Sequence, residues 1–107
     1  MPIEIGDKKL EGVEREHAPW LIYGAVQLAR PDPAELKDEV GVSLQTVRNW
    51  GSGQGMPTVK RAKALVGYFK RRGVTLDLKK GTLTFNIERA VAGGVEPRAP
   101  TGRNSKA

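Results

Sequence analysis

Apolar residues recur with a helical period through the middle of the chain and alternate with polar ones near its C-terminal end. The first predicted helix begins at Pro19 and ends at Arg30, because the residue before a proline is disfavoured in the α conformation. Its apolar positions include Trp20, Leu21 and Tyr23. This pattern predicts a helix that contributes Trp20 to the core.

Three further helices are predicted from their start and stop signals. Asp32 is a suitable N-cap, with Pro33 at the first helical position and Glu35 at the third, where a glutamate completes a capping box. Gly41 ends that short helix, and Ser43 caps the next one, which covers residues 44–50. After the glycine-rich stretch 51–55, a fourth helix is predicted from Thr58 to about residue 72. Its buried face is expected to carry Val59, Ala62, Leu65, Val66 and Phe69.

Residues 74–87 change to an alternating pattern, which predicts a β-hairpin. If Lys80 and Gly81 form the turn, one face of the hairpin carries three apolar cross-strand pairs: Leu78–Leu83, Leu76–Phe85 and Val74–Ile87.

These elements predict a mainly α fold with four parts. Residues 1–18 form an N-terminal arm or short strand that includes Ile3-Glu4-Ile5. Residues 19–72 form the helical domain, residues 73–92 the β-hairpin, and residues 93–107 a disordered basic tail.

The second and third helices have the spacing of a helix-turn-helix. Two short helices flank a turn of about three residues that contains Gly41, and apolar residues are placed to pack them together. The residues expected on the outward face of the second motif helix are Leu44, Gln45, Thr46, Arg48 and Asn49. Gln and Asn can pair with an adenine edge through two hydrogen bonds, and Leu can contact a thymine methyl group. We therefore predict that Leu44, Gln45, Thr46 and Asn49 read bases.

Residues 20–72 resemble the Cro/phage-repressor type (XRE-like) helix-turn-helix family. The resemblance rests on the motif helices and on the W-x-x-G-x-x-x-P continuation, which Trp50, Gly53 and Pro57 match. It implies a compact bundle of four or five helices and a sequence-specific DNA-binding regulator, most typically a repressor of bacterial, phage or plasmid origin. Three positions depart from the family pattern, namely Pro33, Lys37 and Gly51, and the last replaces a residue that is usually acidic.

Charge is distributed unevenly along the chain. The net charge is +6, yet residues 1–59 carry 6 basic and 9 acidic side chains, whereas residues 60–107 carry 12 basic and 3 acidic ones. A basic region of this kind favours a polyanionic partner such as DNA. The residues predicted to contact the DNA backbone are Ser43, Arg48, Lys60 and Arg61.

A single helix-turn-helix reads few base pairs, so we expect a homodimer on a palindromic operator. An isolated hairpin is marginally stable in water, and its apolar face suggests a dimer interface that includes Leu76, Leu83 and Phe85. An alternative stays open, in which the chain is an antitoxin-like or other protein-interaction module that binds its partner through the hairpin or the tail.

Other function classes lack support in the sequence. There is no cysteine, and the single histidine, His17, is expected in a solvated loop with no nucleophile beside it, so we predict no enzyme activity, no metal site and no cofactor. No small-molecule effector is evident. The sequence has neither a signal peptide nor a membrane-length apolar run, which favours a cytoplasmic protein.

Overall fold

The fold is mainly helical and carries a two-stranded hairpin, as predicted. A computed structural model describes residues 8–95. Within that range the elements are α1 (Gly12–Ala29), α2 (Pro33–Glu39), α3 (Leu44–Gly51), α4 (Val59–Arg71), β1 (Val74–Asp77), β2 (Thr82–Phe85) and α5 (Ile87–Ala92). The predicted arm around Ile3-Glu4-Ile5 and most of the predicted tail lie outside the described residues.

Helix α1 begins seven residues earlier than predicted. It starts at Gly12, so Pro19 lies inside the helix rather than in its first turn. Its buried face consists of Ala18, Leu21, Ile22, Ala25 and Ala29. Because this stripe follows the helical period, Trp20 points away from it, and the expectation that Trp20 is a core residue is wrong. Residues 12–18 of the predicted arm or short strand are therefore helical. Upstream of α1, Lys9 forms a single antiparallel bridge with Thr58.

Helices α2 and α4 are joined by the buried hydroxyl of Tyr68. Asp32 caps α2 as predicted, its Oδ1 accepting from the backbone N–H of Ala34 at 2.8 Å. The predicted capping box with Glu35 does not form directly. Instead the Asp32 N–H donates to the Tyr68 hydroxyl at 2.9 Å, and that hydroxyl donates to Glu35 Oε1 at 3.2 Å.

Arg72 joins α1, α2 and α4 from the end of α4. Its side chain is only 7% exposed. The guanidinium donates to Ala29 O at 2.8 Å, to Arg30 O at 2.6 Å and to Glu35 Oε1 at 3.3 Å. Carbonyl groups in the last turn of a helix lack intrahelical hydrogen-bond donors. The Arg72 guanidinium supplies donors to two such carbonyls at the end of α1.

The buried Tyr68 predicts a loss of stability at high pH. Burial raises the pKa of Tyr68 above the usual value of 10.0. Its contribution to stability is therefore fully present below about pH 10, the pKa of an unfolded tyrosine, and is lost as the pH rises from there through the folded-state pKa. Urea unfolding between about pH 9 and pH 11 should show this decline. Tyr68→Phe should flatten it, whereas the exposed-site control Tyr23→Phe should leave it unchanged.

The hairpin register differs from the predicted one. Val74 pairs with Phe85, Leu76 with Leu83 and Asp77 with Thr82, so the loop has four residues, 78–81, instead of two. Asp77 explains the longer loop, because its Oδ1 accepts from the backbone N–H groups of Lys79 and Lys80 at 3.1 and 3.0 Å.

Helix α5 follows the hairpin without a linker and was not predicted at this position. Asn86 caps it, since its side chain accepts from the Arg89 N–H at 2.8 Å, and Ile87 is therefore helical rather than paired with Val74. Val95, assigned to the predicted disordered tail, is buried, and its N–H donates to Ala90 O at 2.9 Å.

Candidate nucleic-acid interface

The turn between α2 and α3 has the geometry that the sequence predicts. Gly41 has a φ of +86°, a left-handed conformation that glycine adopts without strain. The N–H groups of Val40 and Gly41 both donate to Leu36 O, at 2.8 and 3.2 Å, which closes α2. Val42 is buried and fixes the turn to the core.

Helix α3 presents one side to the core and the opposite side to solvent. Ser43 caps it, with its Oγ accepting from the Thr46 N–H at 3.1 Å. Val47 and Trp50 are buried, and they are the core contacts that the motif predicts. At 100° per residue, Gln45 lies opposite the midpoint of these two side chains, and Asn49 lies about 50° to one side of that point. Gln45 therefore occupies the centre of the outward face, and Asn49 lies beside it and is half-buried.

The amides of Gln45 and Asn49 are hydrogen-bonded to each other. Gln45 Nε2 donates to Asn49 Oδ1 at 3.0 Å. This contact uses one donor and one acceptor, so the Gln45 oxygen and the Asn49 nitrogen still offer an acceptor and donors to solvent. An acceptor beside a donor is the pattern that complements the N6 and N7 atoms of adenine in the major groove.

Leu44 and Thr46 lie at the two edges of this face. Leu44 is half-buried against the core and borders a groove of about 360 Å³ together with Val26, Gln27 and Arg48. The Thr46 hydroxyl lies 3.0 Å from that of Ser43. Their predicted role in base reading stays a prediction, and their position limits it to the flanks of α3.

The predicted backbone cations are not all in one place. Arg48 is exposed on α3 beside Gln45. Arg61 lies at the turn, because its Nη1 donates to Gly41 O at 2.9 Å. Lys60 is exposed on the solvent side of α4, away from the buried face. Arg48 thus lies on the helix-turn-helix itself and Arg61 contacts its turn, whereas Lys60 lies on the solvent side of α4.

Gly51 explains one departure from the family pattern. A Cβ atom at this position would lie 3.2 Å from the backbone N and Cα of Tyr23. The end of α3 therefore packs closely against α1, and any larger side chain would push the two helices apart. A glycine inside a helix is a signal of close approach, so the sequence could have predicted this contact.

The predicted dimer residues have different environments. Leu76 is only 6% exposed and belongs to the core, so its assignment to a dimer interface is wrong. Leu83 is half-buried against α1 at Gly24, where its Cδ1 would lie 3.0 Å from an added Cβ. Phe85 alone is exposed, at 38%, and it lies near two exposed residues of α5, Ile87 and Val91. The alternating pattern identified an apolar face but not how much of it α1 covers.

The expectation that His17 lies in a solvated loop is wrong. It lies on α1, and its Nδ1 donates to Leu78 O in the hairpin loop at 2.7 Å. Residues 8–95 contain no group of three or more His, Asp or Glu side chains that could hold a metal ion. In the same range no helix has the length and apolar character that crossing a membrane requires.

Comparison of the chain with known protein families, with curated proteins and with solved structures gives no match.

Proposed function

We propose that this protein is a sequence-specific regulator that binds double-stranded DNA through α3 and acts as a repressor at a palindromic operator. The observation that carries the proposal is the outward face of α3, where the paired amides of Gln45 and Asn49 stand clear of the core. The major groove admits an α-helix, and amide side chains of this kind read base edges there. The proposal includes a cytoplasmic location, where operator DNA of bacterial, phage or plasmid origin lies.

The electrostatics of the motif support this proposal. Two of the three acidic side chains of α2 are neutralised within the fold, because Arg71 forms an ion pair with Glu39 and Arg72 forms one with Glu35. Arg48 on α3 and Arg61 at the turn are both exposed, so their guanidinium groups could contact phosphates.

A dimer that reads two half-sites fits the face around α5. Ile87 and Val91 are exposed beside a groove of about 200 Å³ whose apolar lining includes Leu28 and Phe85. Half-sites on DNA are about 34–36 Å apart. If a second copy is seated on α5, the path from one α3 axis to the other crosses up to five helix–helix contacts of about 8–10 Å each. The separation of the two α3 axes is therefore at most about 40–50 Å, and the half-site spacing lies within this limit. We therefore assign the half-site dimer to this face.

Gln45→Ala and Asn49→Ala should each weaken binding to the cognate duplex by about 1–3 kcal/mol and relax base preference, because each removes a base-edge contact. The cognate duplex is first obtained by selection from random sequences. Binding of each variant to the cognate and to a random duplex is then compared by fluorescence anisotropy. Thr84→Ala, exposed on the hairpin, is the control. Equal losses on both duplexes would contradict base reading by these residues.

Arg48→Gln and Arg61→Gln should each flatten the plot of log affinity against log salt by about one unit, since each removes one phosphate contact. Arg71→Gln is the matched control, because Arg71 is exposed but its charge is paired with that of Glu39. An unchanged slope in both test variants would place the DNA-binding surface elsewhere on the protein.

A further inference from the structure

The outer side of α1 carries an exposed apolar stripe that the proposed DNA contacts do not use. Trp20 is 81% exposed, Tyr23 60% and Val13 52%, which makes Trp20 the most exposed large apolar residue in the described chain. We call these three residues, with Glu16 and Gln27 between and after them, the α1 stripe. Its positions, 13, 16, 20, 23 and 27, are separated alternately by three and four residues.

This spacing is that of a helix-pairing seam. Positions separated alternately by three and four residues stay on one side of a helix when it packs along a second helix. The seam is available because the buried residues of α1, among them Ala18, Ile22 and Ala25, lie on the opposite side. Gly12 lies beside the N-terminal end of the stripe, where an added Cβ would meet no atom within 4 Å, so a second helix has room to approach there.

We propose that the α1 stripe binds the same stripe of a second copy, with the two α1 helices antiparallel. Charge complementarity favours this partner and direction. Glu16 is the charged member of the α1 stripe, since Glu14 and Arg15 lie on other sides of the helix, and Arg30 borders the C-terminal end of the stripe. An antiparallel arrangement places Glu16 of each copy towards Arg30 of the other, and a parallel one would place the two Glu16 carboxylates together.

The antiparallel register also joins the aromatic residues. With a two-fold axis between positions 20 and 23, Trp20 of each copy meets Tyr23 of the other, and Glu16 meets Gln27. The four aromatic side chains would bury roughly 600 Å² together, which is typical of weak and reversible contacts. We expect association in the range of tens to hundreds of micromolar.

This contact is distinct from the proposed half-site dimer. Pairing through α1 separates the two α3 axes by at most three helix-packing distances, about 24–30 Å, which is shorter than one turn of DNA. The inference goes beyond the proposed function and does not depend on DNA binding.

Trp20 can report on its own contact. Trp50 is buried, so in the Trp50→Phe variant the fluorescence comes from Trp20 alone. In the absence of DNA, the emission of Trp20 should move to shorter wavelengths, and its quenching by iodide should fall at least twofold, as the protein is concentrated from about 5 μM to about 1 mM. Ile87→Glu should leave this change intact, because it alters only the α5 face. If Trp50→Phe does not fold, the difference between the wild type and Trp20→Phe gives the same signal.

Sedimentation of Trp20→Glu and Trp20→Phe completes the test. The glutamate should abolish the association that remains in the Ile87→Glu background, and the phenylalanine should largely preserve it. The proposal is overturned if Trp20 stays fully quenchable at the highest concentration. It is equally overturned if Trp20 becomes protected only when a duplex is added, which would assign the stripe to DNA, or if a different protein protects it while the purified chain does not.

Discussion

Replacing Arg72 by alanine is expected to lower the free energy of unfolding by about 3 kcal/mol, because buried carbonyls without a donor each cost about 1–3 kcal/mol. The substitution removes the donors that satisfy Ala29 O and Arg30 O at the end of α1. It also leaves Glu35 without its cationic partner, although that carboxylate is half exposed and contributes less. Urea unfolding monitored by circular dichroism measures the change.

Arg71→Ala is the matched control for Arg72. The two arginines are adjacent, but Arg71 forms an exposed ion pair with Glu39, and exposed pairs contribute about 0–1 kcal/mol. Arg72→Lys should fall between the two, since one ammonium group cannot reproduce the forked contacts of a guanidinium. Equal losses for Arg71→Ala and Arg72→Ala would show that the buried contacts do not stabilise the fold.

Gly73→Ala is expected to destabilise the protein by a similar amount, about 3 kcal/mol, from backbone strain and steric conflict together. Gly73 has a φ of +91°, and an added Cβ would lie 2.6 Å from Asn86 O and 2.7 Å from the Ala90 Cβ. Relief of this conflict would move α5 away from the end of α4. Thermal unfolding measures the loss of stability.

Replacing Gly67 by alanine is expected to stabilise the protein, in contrast to the same substitution at Gly73. It lies inside α4, and an added Cβ there meets no atom within 4 Å. Gly67→Ala should therefore stabilise the protein by about 0.5–1 kcal/mol, because alanine loses less conformational freedom in a helix than glycine. A loss of less than about 1 kcal/mol in Gly73→Ala would contradict the close packing of α5 on this junction.

The sequence predicts the local elements well and their partners less well. Asp32, Ser43 and Thr58 all cap helices as predicted, because a cap depends only on residues within one turn. The register of the hairpin depends on the Asp77 side chain, which accepts from the N–H groups of Lys79 and Lys80 and so favours a four-residue loop over a two-residue one. The sequence pattern misplaces the start of α1, because Pro19 is an interior proline rather than a start signal.

The buried Val47 and Trp50 of α3 were predicted correctly, and so was the exposure of Gln45 and Arg48. Leu44, Thr46 and Asn49 were predicted on the same outward face but are half-buried. Which apolar residues of the hairpin the helices bury could not be predicted in the same way. Leu76 and Phe85 have the same alternating pattern, and only the position of the helices decides that one is buried and the other exposed. Trp20 could have been assigned to the surface from the period of Ala18, Ala25 and Ala29 alone.

The contacts of Tyr68 and Arg72 have a consequence for local opening. The Tyr68 hydroxyl on α4 binds the N–H of Asp32 at the start of α2, and the Arg72 guanidinium binds the carbonyls of Ala29 and Arg30 at the end of α1. None of the three helices can detach without exposing polar groups of the other two, so they form one cooperative unit in amide hydrogen exchange. The loop of the hairpin is held by one hydrogen bond from His17 and by the half-buried Leu78 side chain, so it opens at lower free energy. Proteolysis should therefore begin at residues 78–81 and leave the helix-turn-helix intact.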